Sequence, residues 1–122
     1  MRLYNTLTRN VVTLKPIAGN TMRLYTCGPT VYDHAHIGNL SAYVFADTLR
    51  RAIQLAGYDV EHVINYTDVD DKTIRRSHEL YPDQKPQTAL QLLANTYIGI
   101  FNNDMQRIGN DTAAVALSLI HI

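Results

Sequence analysis

Two short polar clusters carry the chemistry available to this sequence. The first is Cys27-Gly28-Pro29-Thr30-Val31-Tyr32-Asp33-His34-Ala35-His36-Ile37-Gly38-Asn39, and the second is Thr67-Asp68-Val69-Asp70-Asp71-Lys72. His36-Ile37-Gly38-Asn39 stands where a loop feeds a helix start. Free backbone N–H groups and the positive end of the helix dipole suit such a place to a phosphate. Gly38 lets a ligand approach the backbone closely, and His36 and Asn39 can donate to phosphate oxygens. The same four residues also fit a plain helix start, with Asn39 as its cap and His36 on the surface.

Cys27 is the single cysteine of the chain, which excludes an internal disulfide framework. A lone cysteine is commonly a small buried hydrophobe. Its thiolate also suits zinc, but a closed zinc site needs about four ligands. Only His34 and His36 are near it in sequence, so further ligands would come from elsewhere. Asp68, Asp70 and Asp71 fit magnesium or, more simply, the first turn of a helix. Arg50-Arg51 and Arg75-Arg76 read as solvated helix faces. Tyr97, Phe101 and Met105 read as a core stripe.

The elements that must position these clusters follow from periodicity. Residues 22–26 form a strand that stops at Cys27-Gly28-Pro29, because proline removes a ladder donor. Residues 30–36 are a loop. From Gly38 onward Val44, Phe45, Leu49, Ala52, Ile53 and Ala56 recur at helical spacing, and Gly57 stops that helix in a left-handed conformation. Residues 59–66 are a second strand, followed by an acidic helix start and a helix to about Leu80. After a loop at residues 81–87, Thr88 and Gln91 make a capping box. The helix it opens carries Ala89, Leu92, Leu93, Tyr97, Ile100, Phe101, Met105 and Ile108 on one face and ends at Gly109. Residues 1–20 form an N-terminal hairpin or arm.

Strands joined through a helix of this length usually pair in parallel. The fold class is therefore α/β, the N-terminal part of a Rossmann-like parallel sheet. It is incomplete, since only two of its strands are visible and parallel sheets are normally covered on both faces. Ligands of open α/β sheets bind beyond the carboxyl ends of the strands, where both polar clusters fall.

Composition bounds the rest. The chain has 122 residues, 46% of them hydrophobic, and its 11 basic and 11 acidic side chains cancel. That is one domain, neither disordered nor fibrous. No apolar run is long enough to cross a membrane, and the first residues lack a secretory apolar stretch. A cytoplasmic protein without a membrane partner is expected. Neutral charge gives no sign of an electrostatic nucleic-acid binder and leaves room for a local basic patch.

In combination these segments resemble the N-terminal part of cysteinyl-tRNA synthetases, a class I aminoacyl-tRNA synthetase family. The likeness rests on Leu3-Tyr4-Asn5-Thr6-Leu7-Thr8-Arg9, on Cys27-Gly28-Pro29-Thr30-Val31-Tyr32-Asp33 and on His36-Ile37-Gly38-Asn39, the form of the class I signature. Gly57-Tyr58-Asp59-Val60 and Thr67-Asp68-Val69-Asp70-Asp71-Lys72 complete it. It runs over about residues 2–111 and covers only the first part of the family's catalytic domain.

The resemblance implies ATP-dependent attachment of L-cysteine to tRNA(Cys) through a cysteinyl-adenylate. His36, Gly38 and Asn39 would bind ATP, with His36 and Asn39 catalytic. Cys27, Gly28, Thr30 and Thr67 would bind the cysteine substrate. Cys27 would also be one ligand of a Zn2+ ion that takes the substrate thiol as thiolate, favouring soft sulfur over a serine hydroxyl. Mg2+ would accompany ATP. Asp70 and Asp71 would organise a helix, Lys72 has no assigned role, and a monomer is favoured.

The sequence departs from the family in lacking the second signature, Lys-Met-Ser-Lys-Ser, its only lysines being Lys15, Lys72 and Lys85. The downstream zinc ligands are missing too. The isolated chain is expected to lack aminoacylation activity. One codon choice for Leu117-Ser118-Leu119-Ile120-His121-Ile122 reproduces the transposase end sequence used in preparing sequencing libraries. Residues 1–116 are accordingly read as the N-terminal part of the catalytic nucleotide-binding domain. Residues 117–122 are read as a non-native tail, against a genuine apolar strand or helix end. Two rivals remain. One is a ligase joining cysteine to an amino-sugar inositol in mycothiol synthesis, whose motifs read more like His-Leu-Gly-His and Asp-Val-Asp-Asp-Pro. The other is a non-catalytic nucleotide-binding module.

Overall fold

The structure, a computed structural model, describes residues 1–111 and 115–118. Strands β1 (Arg2–Asn5) and β2 (Asn10–Thr13) pair antiparallel as a separate hairpin. Then come β3 (Thr21–Thr30), α1 (Ile37–Leu55), β4 (Asp59–Thr67), α2 (Asp71–Leu80), α3 (Pro86–Arg107) and β5 (Val115–Ser118). The last three strands form a parallel sheet in the order β3-β4-β5. The expected parallel α/β layout is present, with β5 as an additional strand. Leu117 and Ser118, placed in the expected tail, lie in β5, and residues 119–122 fall outside those described.

Strand β3 does not stop before Cys27. It runs through Gly28 and Pro29 to Thr30. Cys27 pairs with Asn65 and Thr30 with Thr67, so β3 spends one more residue than β4 between the two pairings. That is a β-bulge on an edge strand, where a missing proline N–H does no harm.

Helix α1 ends as expected. Gly57 has φ +91°, its N–H donates to the Gln54 carbonyl at 2.9 Å, and the Tyr58 N–H donates to the Ile53 carbonyl at 3.4 Å. This is the Schellman pattern, which a residue with a Cβ makes only under strain. The buried face of α1 differs from the apolar count. It is Ala46, Asp47, Arg50 and Ile53, while Val44 and Phe45 face solvent. Asp47 and Arg50 tolerate burial because they satisfy each other: the Arg50 guanidinium donates twice to Asp47 Oδ1, at 2.7 and 2.9 Å.

Helix α3 begins at Pro86, with no side-chain cap. The expected Thr88–Gln91 box is absent, because proline at the first helical position moves the N-cap three residues earlier, to Lys85. Leu92 and Ile108 are exposed, and the buried stripe is Ala89, Leu93, Ala94, Phe101 and Met105.

The core joins Val31, Ile64 and Tyr66 to Ala94, Phe101 and Met105, with Tyr43 packed beside them. The Tyr43 and Tyr66 rings both meet Phe101 edge-on, at 5.0 and 6.1 Å between centroids, an arrangement favoured by the ring quadrupoles. This core ties α1 and α3 to one face of the sheet, beneath the loop that leads from β3 to His36.

Candidate functional site

A cleft of about 460 Å³ opens at the carboxyl end of β3 and the mouth of α1. It brings together Gly28, Thr30, Tyr32, His34, His36, Asn39, Tyr43 and Lys72.

His36 builds its floor. It is the N-cap of α1, in extended conformation, and its Nδ1 accepts the Gly38 N–H at 3.1 Å. In return Asn39 Oδ1 accepts the His36 N–H at 3.3 Å. So His36, not Asn39, caps the helix, and Asn39 closes the box from the third helical position. An accepting Nδ1 carries no proton, so the neutral ring holds its proton on Nε2, free to donate. The amide nitrogen of Asn39 remains a donor too. Gly38 is needed for this fold-back: a Cβ there would stand 2.9 Å from His36 Cε1.

The second cluster reaches the same cleft through one residue. Lys72 Nζ sits 5.4 Å from the centre of the Tyr32 ring, a cation–π contact. This brings a positive charge into the cleft that His36 and Asn39 also line. Asp70 takes no part. Its Oδ1 accepts the Thr73 N–H at 2.8 Å, and its N–H donates to Thr73 Oγ1 at 2.8 Å. That reciprocal cap makes Asp70 the start of α2, as the helix-start reading expects. Asp68 instead accepts from the Ser118 hydroxyl on β5.

Comparison with known proteins decides what kind of domain this is. Residues 13–121 match the family model "tRNA synthetases class I (C) catalytic domain". The chain belongs to this family.

Relatives agree. The synthetase domain is 45% identical over 105 residues to the cysteine–tRNA ligase of Methanococcus maripaludis, covering 86% of this chain and 21% of that protein. It is 43% identical over 109 residues to the cysteine–tRNA ligase of Geobacillus thermodenitrificans, covering 89% and 22%. It is 61% identical over 75 residues to that of Protochlamydia amoebophila, covering 62% and 16%. The chain thus spans about a fifth of the length of the curated relatives it matches.

Within this synthetase domain the other sequence-selected residues lie around the cleft. Gly28 touches β4: a Cβ would stand 2.0 Å from the Asn65 carbonyl oxygen. Thr30 and Thr67 are paired at the strand ends, the Val31 N–H donates to the Thr67 carbonyl at 3.1 Å, and Asn65 Nδ2 donates to Thr67 Oγ1 at 3.4 Å. Cys27 and Thr67 sit beside the cleft and do not line it. Cys27 is exposed, not a buried hydrophobe. Among the described residues no three His, Cys, Asp or Glu side chains converge to hold a metal ion. Cys27 supplies one suitable sulfur donor, and the described residues alone do not make a zinc site.

Tyr43 was not a sequence candidate, although it follows Asn39 by one helical turn and therefore shares its face. Burial, and then the charge of a Cys27 thiolate, push its hydroxyl up to about 12. Tyr43 thus stays a neutral donor on the wall of the cleft.

Proposed function

We propose that this domain is the ATP- and cysteine-binding part of a cysteine–tRNA ligase. In the whole enzyme a carboxylate oxygen of L-cysteine attacks the α-phosphorus of ATP, and pyrophosphate leaves. The cysteinyl-adenylate then passes its cysteine to the 3′ end of tRNA(Cys). The observation that carries the reading is the double use of His36. Its Nδ1 is spent on the Gly38 N–H, which fixes the ring and leaves Nε2–H to donate into the cleft.

In this reading His36 and Asn39 hold the ATP phosphates and stabilise charge as the α-phosphorus is attacked. Gly38 lets a phosphate approach the first turn of α1, where dipole and free N–H groups favour anions. Gly28, Thr30 and Thr67 shape the place of the amino acid. Mg2+ accompanies ATP. Cys27 is proposed as one Zn2+ ligand, the others lying outside the described residues, and bound zinc would select a thiolate over a hydroxyl. A cytoplasmic monomer is part of the same reading. No helix among the described residues is long and apolar enough to cross a membrane. The three relatives named above support tRNA as the acceptor over an amino-sugar inositol.

Titration of the chain with ATP, followed through its backbone amide signals, tests this. Gly38, Asn39 and Leu40 are expected to shift together, and His36→Ala to weaken binding at least tenfold. Absence of any change at these amides with millimolar ATP would overturn the reading.

A further inference from the structure

A second cavity lies on the other side of Tyr43, between α1, α3 and the sheet, and measures about 40 Å³. One water needs roughly 10–15 Å³ measured this way. The space therefore suits one to three waters and excludes a nucleotide, an amino acid or an aromatic ring. Its wall is mostly apolar, with Ile64, Phe101 and Met105, but His62 projects into it. His62 is 7% exposed. Its Nε2 lies 2.8 Å from Thr26 Oγ1, while its Nδ1 is buried and has no hydrogen-bond partner among the described residues. Buried polar atoms without a partner are rare in folded proteins.

We propose that an ordered water is bound in this cavity, anchored between His62 Nδ1 and the amide nitrogen of Asn102. Asn102 lines the same cavity. Its carbonyl oxygen accepts the Tyr66 hydroxyl at 2.9 Å, which leaves the amide as a donor. A water accepts from that amide and donates to an unprotonated Nδ1. Because water both donates and accepts, it also serves the opposite imidazole tautomer. An anion is disfavoured because no lysine or arginine is among the described residues that line the cavity. A cation is disfavoured because no three His, Cys, Asp or Glu side chains converge among the described residues. The Thr26–His62 pair resembles a nucleophile and its base, but the cavity leaves no room for a substrate beside it. The water would join β4 to α3 behind the cleft, independently of what the cleft binds.

A crystal structure of the chain at a resolution that shows ordered solvent tests the proposal. A water oxygen within about 3.2 Å of His62 Nδ1 is the expected result. A dry cavity, or a protein group bonded to Nδ1, would overturn it. If no crystals form, magnetisation transfer from water to the His62 ring protons in solution decides. A cross-peak with the sign of a long-lived bound water is expected, and its absence sinks the idea.

Discussion

Gly28 on β3 lies so close to the Asn65 carbonyl on β4 that an added Cβ would stand 2.0 Å from the oxygen. The obstacle is backbone, not a side chain that can swing aside. Gly28→Ala must therefore push β3 off β4 at the bulge, next to Thr30 and the cleft. We expect a loss of about 3 kcal/mol in urea unfolding. Gly38→Ala is the informative contrast, because there the neighbour is the His36 ring, which can rotate away. Its loss should be about 1 kcal/mol, the worth of a helix cap. Equal losses at the two positions would contradict the packing described.

Asp47 and Arg50 form a pair buried on α1, with side chains 9% and 11% exposed. Burial pushes the Asp47 carboxyl up, but hydrogen bonds from Arg51 and Arg50 outweigh it and hold the carboxyl below its usual range. The stabilisation is therefore present above about pH 4 and is lost as pH falls through the lowered folded value. Asp47→Ala leaves Arg50 buried with one fewer partner and should cost about 3 kcal/mol at pH 7. Arg51→Ala removes a cation whose side chain is 57% exposed and should cost less than about 1 kcal/mol. Thermal unfolding of the two variants between pH 3 and 7 separates them, and a flat acid limb in the wild type would refute the assignment.

The same pair shows where the sequence stopped being readable. Counting apolar residues on α1 selects Val44 and Phe45, yet Phe45 is 72% exposed and the inward face holds Asp47 and Arg50. A pair that satisfies itself in the interior is invisible to an apolar pattern. The ends of elements were legible where glycine chemistry set them, as at Gly57. Proline-set ends were less legible: Pro29 sits in a bulge within β3 and does not stop the strand, and Pro86 overrides the Thr88 cap. The convergence of His36 and Asn39 on one cleft was legible because a loop entering a helix advertises free N–H groups, while Gly38 between them does not line it. Lys72 was legible only as the end of the second cluster, without a role, and Tyr43 not at all, because their place in the cleft depends on how α1 and α2 lie over the sheet, which no local spacing encodes.

His62 should make stability fall on mild acidification. Burial, followed by the Arg50 charge, lowers its pKa from the usual 6.5, against opposing pulls from Asp47 and Asp111. The folded protein keeps the ring neutral while the unfolded chain takes up a proton below about pH 6.5. The associated stability is complete above that value and is lost as pH falls toward the lowered folded pKa. The urea midpoint of the wild type should drop between pH 7 and 5, and His62→Gln should flatten that slope. An unchanged slope in the variant would assign the drop to other groups.

In the proposed reading His36 caps α1 with Nδ1 and donates to ATP with Nε2–H, and one substitution pulls these two roles apart. Asparagine is a better helix N-cap than histidine, and its side-chain oxygen can accept the Gly38 N–H that Nδ1 now takes at 3.1 Å. It is too short to present a second donor where Nε2–H stands. His36→Asn should therefore leave the stability of α1 within about 0.5 kcal/mol of the wild type. ATP affinity should nevertheless fall at least tenfold, as in His36→Ala, which loses both functions. Calorimetric unfolding reads the cap and ATP titration reads the donor. If His36→Asn bound ATP as well as the wild type, the histidine would be a cap and nothing more, and the phosphate contacts would have to come from the backbone of α1 and from Lys72.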